Sequence, residues 1–231
     1  MITAVQIRTI LRAVIDEYQT DYFLDPLIDE FATEAQLAIF KRLVNPDTEP
    51  DRSPGFSAYY EGNKKIAEYL SALVKPFGIT KTSGIGVPKD GFHPEVTEAE
   101  IVAMMGRAVY GIFSVEANYG GSYRPCRWKS LAENVKQNTM AFYGNNDAEP
   151  HFTIANDTYR FYPSIFTPNT SIPIRGHLIL MPLPITTAQP SELHPALANV
   201  LAFRTAELAG ISIRDMEFVN QIQVQLEKIG V

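Results

Sequence analysis

"TIANDTYRFYPS" (residues 153–164) reads as a small hairpin: Ile154 leads into a turn on Asn156-Asp157, Tyr159 to Tyr162 follow in an extended run, and Pro163 stops the strand. Asn and Asp tolerate positive φ and bond their own backbone, which suits a tight reversal between extended segments. A hairpin here places an antiparallel sheet in the second half of the chain. The fold then depends on how much of the flanking sequence joins that sheet.

On the N-terminal side, "VYGIFSVEANY" (109–119) is β-prone and "GGSYRPCRW" (120–128) follows it across a glycine turn. On the C-terminal side, residues 174–183 supply another extended segment. Ser130-x-x-Glu133 predicts the cap of a short helix carrying Leu131 and Val135, so residues 106–186 read as a small antiparallel sheet with a helix across it. Upstream, "GITKTSGIGVPKDGFHPEV" (78–96) is turn-rich, and Thr97-x-x-Glu100 with Ile101, Met104 and Met105 behind it predicts a short helix.

The two ends of the chain have helical grammar. Thr3-x-x-Gln6 is a capping-box signature, and Val5, Ile7, Ile10, Leu11, Val14, Ile15 and Tyr18 recur at helical spacing over residues 4–18. Asp25-Pro26 opens a second helix that carries its apolar face to Leu43 before Asn45-Pro46. Tyr59, Ile66, Tyr69, Leu70, Leu73 and Val74 mark a third, ending before Pro76. His194-Pro195 opens a helix that closes on Gly210, and Ser212-x-x-Asp215 opens a last one through Ile229. An amphipathic helix needs a partner for its apolar stripe. The expected fold is therefore α+β and mainly a helical bundle: residues 1–77 and 187–231 pack together, and 78–186 form an inserted, small antiparallel β module.

Composition narrows the function. A net charge of −6 lacks the basic footprint of a protein that grips nucleic acid by its phosphates. Cys126 is the only cysteine, so no intrachain disulfide and no thiolate metal cluster can form, and a reducing compartment fits. Arg8, Arg12, Asp16 and Glu17 interrupt the apolar N-terminal pattern, which argues against a signal peptide, and no stretch has the roughly 18 uncharged apolar residues of a membrane span. The chain reads as a soluble protein made in a cytoplasm.

Candidate chemistry is sparse. His93, His151, His177 and His194 stand in no metal-ligand spacing, and His194 reads as a helix-start residue. Cys126 lies between Arg124 and Arg127, which could depress a thiol pKa, although the alternation of "YRPCRW" turns Cys126 toward the apolar side of the sheet. Ser122, Ser130 and Ser164 lack a G-x-S-x-G elbow. "SGIGVPKDG" (83–91) has no phosphate-cradle spacing, and Asp16/Glu17 and Glu98/Glu100 read as solvated helix faces. No catalytic residue, cofactor or metal site is expected.

The succession of segments carries a resemblance. "DEFATEAQLAIFKRLVNPDTEPDRSPGFSAYYEGNKKIAEYLSALVKPF", "YGIFSVEANYGGSYRPCRW", "SLAENVKQN" leading to "EPHFTIANDTYRFYPS", then "IRGHLILMPLP" and "SELHPALANVLAFRTAELAGISIRDMEF" together resemble head-to-tail connector (adaptor or ring) proteins of tailed bacteriophages, most closely those of phages infecting Bacteroidetes-type bacteria. The stretch from Pro150-His151-Phe152 to Pro163 and the step from Pro182 to His194-Pro195 carry much of the likeness, while the acidic "TEAEIVAMM" (97–105) departs from it. The resemblance implies a non-enzymatic virion protein, made in the host cytoplasm. It would form a homo-oligomeric ring, twelve-fold by that likeness, between the portal protein and further tail or ring proteins, with double-stranded DNA passing through without tight binding. It offers no catalytic residues. A tail sleeve or fibre-attachment adaptor is the alternative, and a hydrolase built on His151 or His177 with Cys126 is a more distant one.

Interfaces between identical subunits are enriched in aromatic residues, Met and Arg. Tyr119, Tyr123, Arg124, Arg127, Trp128, Tyr143, Tyr159, Arg160 and Tyr162 concentrate in the inserted module and are the expected subunit or partner contacts. In the hairpin itself, Arg160 and Tyr162 are expected to face a neighbour.

Overall fold

The computed structural model describes residues 2–14, 24–44, 68–86, 91–119, 121–130, 150–212 and 216–229. The chain divides into two units, one made of Met1–Leu73 with Pro182–Val231 and the other of Val74–Met181.

In the first, helical unit, the Thr3 amide donates to Gln6 Oε1 (2.9 Å) and the Gln6 amide donates to Thr3 Oγ1 (3.2 Å), closing the capping box that starts α1 (Ala4–Val14). Helix α2 (Asp25–Val44) has Asp25 in its first turn and Lys41 and Arg42 in its last, the charge order that complements a helix dipole. Arg8 of α1 bridges Asp25 (2.8 Å) and Asp29 of α2. Leu11 and Ile28 bury themselves against Ala206, Ala209, Ile222 and Leu226 of two C-terminal helices.

A 3-10 turn (Pro195–Leu197) precedes those helices, and His194 caps it: its Nδ1 accepts from the Ala196 amide at 3.2 Å. The next helix runs over Ala198–Ser212 and continues past Gly210, where the sequence predicted its end. Gly210 is buried, as are Ala202, Ala206 and Ala209 of the same helix. The last helix spans Met216–Ile229.

The second, β unit contradicts the expectation of a small module inserted in a helical bundle. It holds two four-stranded sheets, and the described residues of the whole chain contain five α-helices. The first sheet has the order β1-β8-β3-β4, with β1 at Val74–Thr82, β3 at Val109–Tyr119, β4 at Ser122–Pro125 and β8 at Ser171–Leu180, all antiparallel. The second has the order β2-β7-β6-β5, with β2 at Glu95–Thr97, β5 at Arg127–Trp128, β6 at His151–Ala155 and β7 at Thr158–Tyr162. It is mixed, because β5 runs parallel to β6.

The main correction is β1. Val74 opens a strand instead of closing a third helix, and Gly78 to Thr82, expected in a turn-rich loop, pair along their length with β8 from Val74↔Ile179 to Thr82↔Ser171. Pro76 is tolerated because β1 is an edge strand, and Pro173 in β8 lies beyond the last pair with β3, Ala117↔Ile174. The expected helix after Thr97 forms as α3 (Glu98–Met105), with both capping-box bonds between Thr97 and Glu100 and with Gly106 as its left-handed C-cap. The helix predicted after Ser130 lies outside the described residues.

Candidate functional site

Among the described residues β4 is the last strand of the first sheet and β5 the last strand of the second, so Ser122–Trp128 forms an outer edge of both. This segment carries four of the predicted contact residues. Tyr123 is 39% exposed, and the Arg175 guanidinium lies 3.7 Å from its ring centroid while bonding Glu116 at 2.9 Å. A cation held over an aromatic face in this way contributes about 0.5–1 kcal/mol at an exposed site. Arg127 is exposed and Arg124 half-buried, and neither enters an ion pair with a described residue. Trp128 is half-buried beside its parallel partner Phe152.

Cys126, between these arginines, is 1% exposed, and its amide donates to the Val115 carbonyl at 2.8 Å. Burial pushes its thiol up to about 12, opposite to the activation that neighbouring arginines could have given. A thiolate nucleophile at this position is therefore disfavoured near neutral pH.

The 153–164 hairpin forms as read. Asn156 and Asp157 both adopt left-handed backbone, φ 49° and 57°, the combination of a two-residue turn whose twist matches antiparallel strands. Tyr159 and Phe161 of β7 pack with Phe152 of β6 on the buried face, their ring centroids 6.3 and 5.6 Å from it. Arg160 alternates outward and bonds Glu95, its cross-strand partner in β2, at 2.6 Å.

Tyr162 departs from expectation. It is 5% exposed, stacked on His151 (5.0 Å between centroids, planes 6° apart) and in ring contact with His93 at 4.7 Å. His93, arriving from the segment before β2, covers the face that strict alternation would have left open. Tyr119 and Tyr159 are likewise buried, at 4% and 9% exposure. Of the nine predicted contact residues, Tyr119, Tyr159 and Tyr162 thus pack inside the β unit, and Tyr123, Arg124, Arg127, Trp128 and Arg160 reach solvent at least in part. Tyr143 lies outside the described residues.

One polar pair was not legible in the sequence. Ser114 Oγ and His177 Nδ1 are 3.1 Å apart, joined by the β3–β8 register on an exposed sheet face. The nearest acidic neighbour in that register, Glu116, is held by Arg175. Among the described residues no group of three His, Cys, Asp or Glu side chains could hold a metal ion, and no helix is long and apolar enough to cross a membrane. No protein-family model matches the sequence, and no curated protein matches it.

Proposed function

We propose that the protein is a structural component of a tailed-bacteriophage virion: a head-to-tail connector whose copies form a ring next to the portal, through which double-stranded DNA passes. The observation that carries this reading is the way the chain is partitioned. Both chain ends contribute to one helical unit, and the β unit is an excursion that departs at Val74 and returns beside it, since Val74 pairs with Ile179. Along the edge of that excursion stand Tyr123, Arg124, Arg127 and Trp128, the residue types that dominate subunit interfaces. This order of helical and extended segments is also the basis of the likeness to connector proteins.

The charge balance supports a wall past which DNA moves. Each phosphate that a protein neutralises releases counterions and adds grip, so a net charge of −6 favours passage over retention. The reading is tested by the mass of the purified protein in light scattering, alone and with the portal assembly of the phage that encodes it. A discrete multi-subunit mass, or co-migration with the portal, is expected. A monomer indifferent to the portal overturns the reading.

A further inference from the structure

The two units differ sharply in charge. The helical unit carries ten Lys and Arg against seventeen Asp and Glu, a net −7, whereas the β unit carries ten against nine, a net +1. Among the ionisable side chains that enter no ion pair with a described residue are two sets of like charge. One is Arg124 and Arg127 on the edge segment of the β unit. The other is Glu30 and Glu34 on α2, both exposed.

Glu30 and Glu34 are one turn apart, so the two carboxylates share a helix face and repel one another there; like charges at this spacing destabilise a helix. A cation from outside relieves that repulsion. Arg124 and Arg127 are suited to the task, because a guanidinium meets a carboxylate with two parallel hydrogen bonds. Tyr123 and Trp128 on the same segment add partly exposed aromatic surface, which supplies the contact area that charges by themselves do not.

We propose that the edge segment Ser122–Trp128 of one copy docks on the Glu30/Glu34 face of α2 in a second copy. This rests on the connector reading and specifies its subunit contact. Because the two patches are different surfaces, the contact is heterologous, and repetition around an axis closes a ring, as the same geometry without closure would give a filament. Duplex DNA is the competing occupant of a cationic edge. Two uncompensated arginines in a chain of net charge −6 provide few phosphate contacts, whereas one acidic helix face offers them matching partners.

The test uses two charge-reversed forms of the full chain, Arg124→Glu/Arg127→Glu and Glu30→Arg/Glu34→Arg, each checked for an unchanged thermal melt. Light scattering and sedimentation of each form by itself should show association weakened by at least about tenfold, since like charges then face each other. An equimolar mixture should regain the wild-type mass, because in alternating copies every edge segment again meets an α2 face of opposite sign. Wild-type assembly that weakens with added salt is also expected.

If wild type assembles and the reversed forms assemble equally well, the contact is wrong while the ring reading survives. A mixture of two folded reversed forms that stays dissociated overturns the proposal too. Wild type that remains monomeric even with the portal removes the connector reading and the proposal together. If the arginine reversal abolishes retardation of duplex DNA without changing the assembled mass, the edge is a nucleic-acid contact and the proposal fails.

Discussion

Phe77 lies across Gly176. The two are cross-strand partners in β1 and β8, and a Cβ on residue 176 would stand 2.9 Å from Phe77 Cε1 and 2.0 Å from the Ser114 carbonyl oxygen. The close carbonyl follows from the β3–β8 register shift between Ile112 and Ser114, which places an extra residue in β3 and brings its backbone toward β8. A glycine is required where backbone and ring converge.

Gly176→Ala should therefore destabilise the β unit by about 1–3 kcal/mol, the range for forcing atoms into a packed site. Gly111→Ala is the control: nothing stands within 4 Å of a Cβ there, and the change should stay within about 0.5 kcal/mol. Urea denaturation of both variants measures the difference, and equal midpoints would show that β3 yields at no cost.

Cys126 should be silent to iodoacetamide in the folded protein at pH 8 and should react once urea exposes it. Its raised pKa also has a consequence for stability. Between the ordinary thiol value of 9.0 and the folded value of about 12, the unfolded chain loses the proton that the folded chain keeps. Stability should fall with rising pH across that window, by up to about 1.4 kcal/mol per pH unit, and Cys126→Ala should flatten the slope. A native protein labelled as fast as the unfolded one would contradict the burial.

Gln36 is fully buried in α2; its Nε2 donates to the Leu183 carbonyl at 2.8 Å and its Oε1 accepts from Ser191 Oγ at 2.7 Å and the Glu192 amide at 3.2 Å. Gln36→Leu keeps much of the volume and strands these partners in the interior. It should cost about 1–3 kcal/mol in thermal or urea unfolding, with hydrogen exchange accelerating over 183–193. An unchanged melt would mean that water substitutes for the amide.

The Thr97/Glu100 box predicts two separable losses. Thr97→Ala removes the cap of α3 and should cost about 1 kcal/mol. Glu100→Gln keeps the capping geometry and removes the charge. The bond from Lys81 holds the Glu100 carboxyl below its ordinary 4.5, so its charge stabilises the fold above that value and ceases to do so as the pH falls through the folded value. The stability gap between wild type and Glu100→Gln should be present at pH 6 and close in acid. A gap independent of pH would assign it to packing.

Several features could be read directly along the chain: the Thr3/Gln6 and Thr97/Glu100 boxes, the Asp25-Pro26 start of α2, His194 at a helix entry, and the reversal at Asn156-Asp157. Each is a bargain between residues within three or four positions, so the partner that satisfies the orphan amide or the special φ is visible beside it. The outward place of Arg127 was also legible, because the alternation that turns Cys126 inward turns its neighbour outward.

What only the tertiary structure decided has partners far away. β1 looks like a helix end and a glycine-rich loop until β8 lies beside it, since a strand's backbone bonds are made with another segment and leave no local signature when Gly, Pro and Thr fill it. The same holds for Tyr162, whose outward place in the alternation is closed by His93 and His151, and for Ser114 with His177, paired by register. Local hydrogen-bond satisfaction determined the helix caps and the hairpin turn; long-range pairing and side-chain covering decided that the β unit has two sheets and which of its aromatic residues reach solvent.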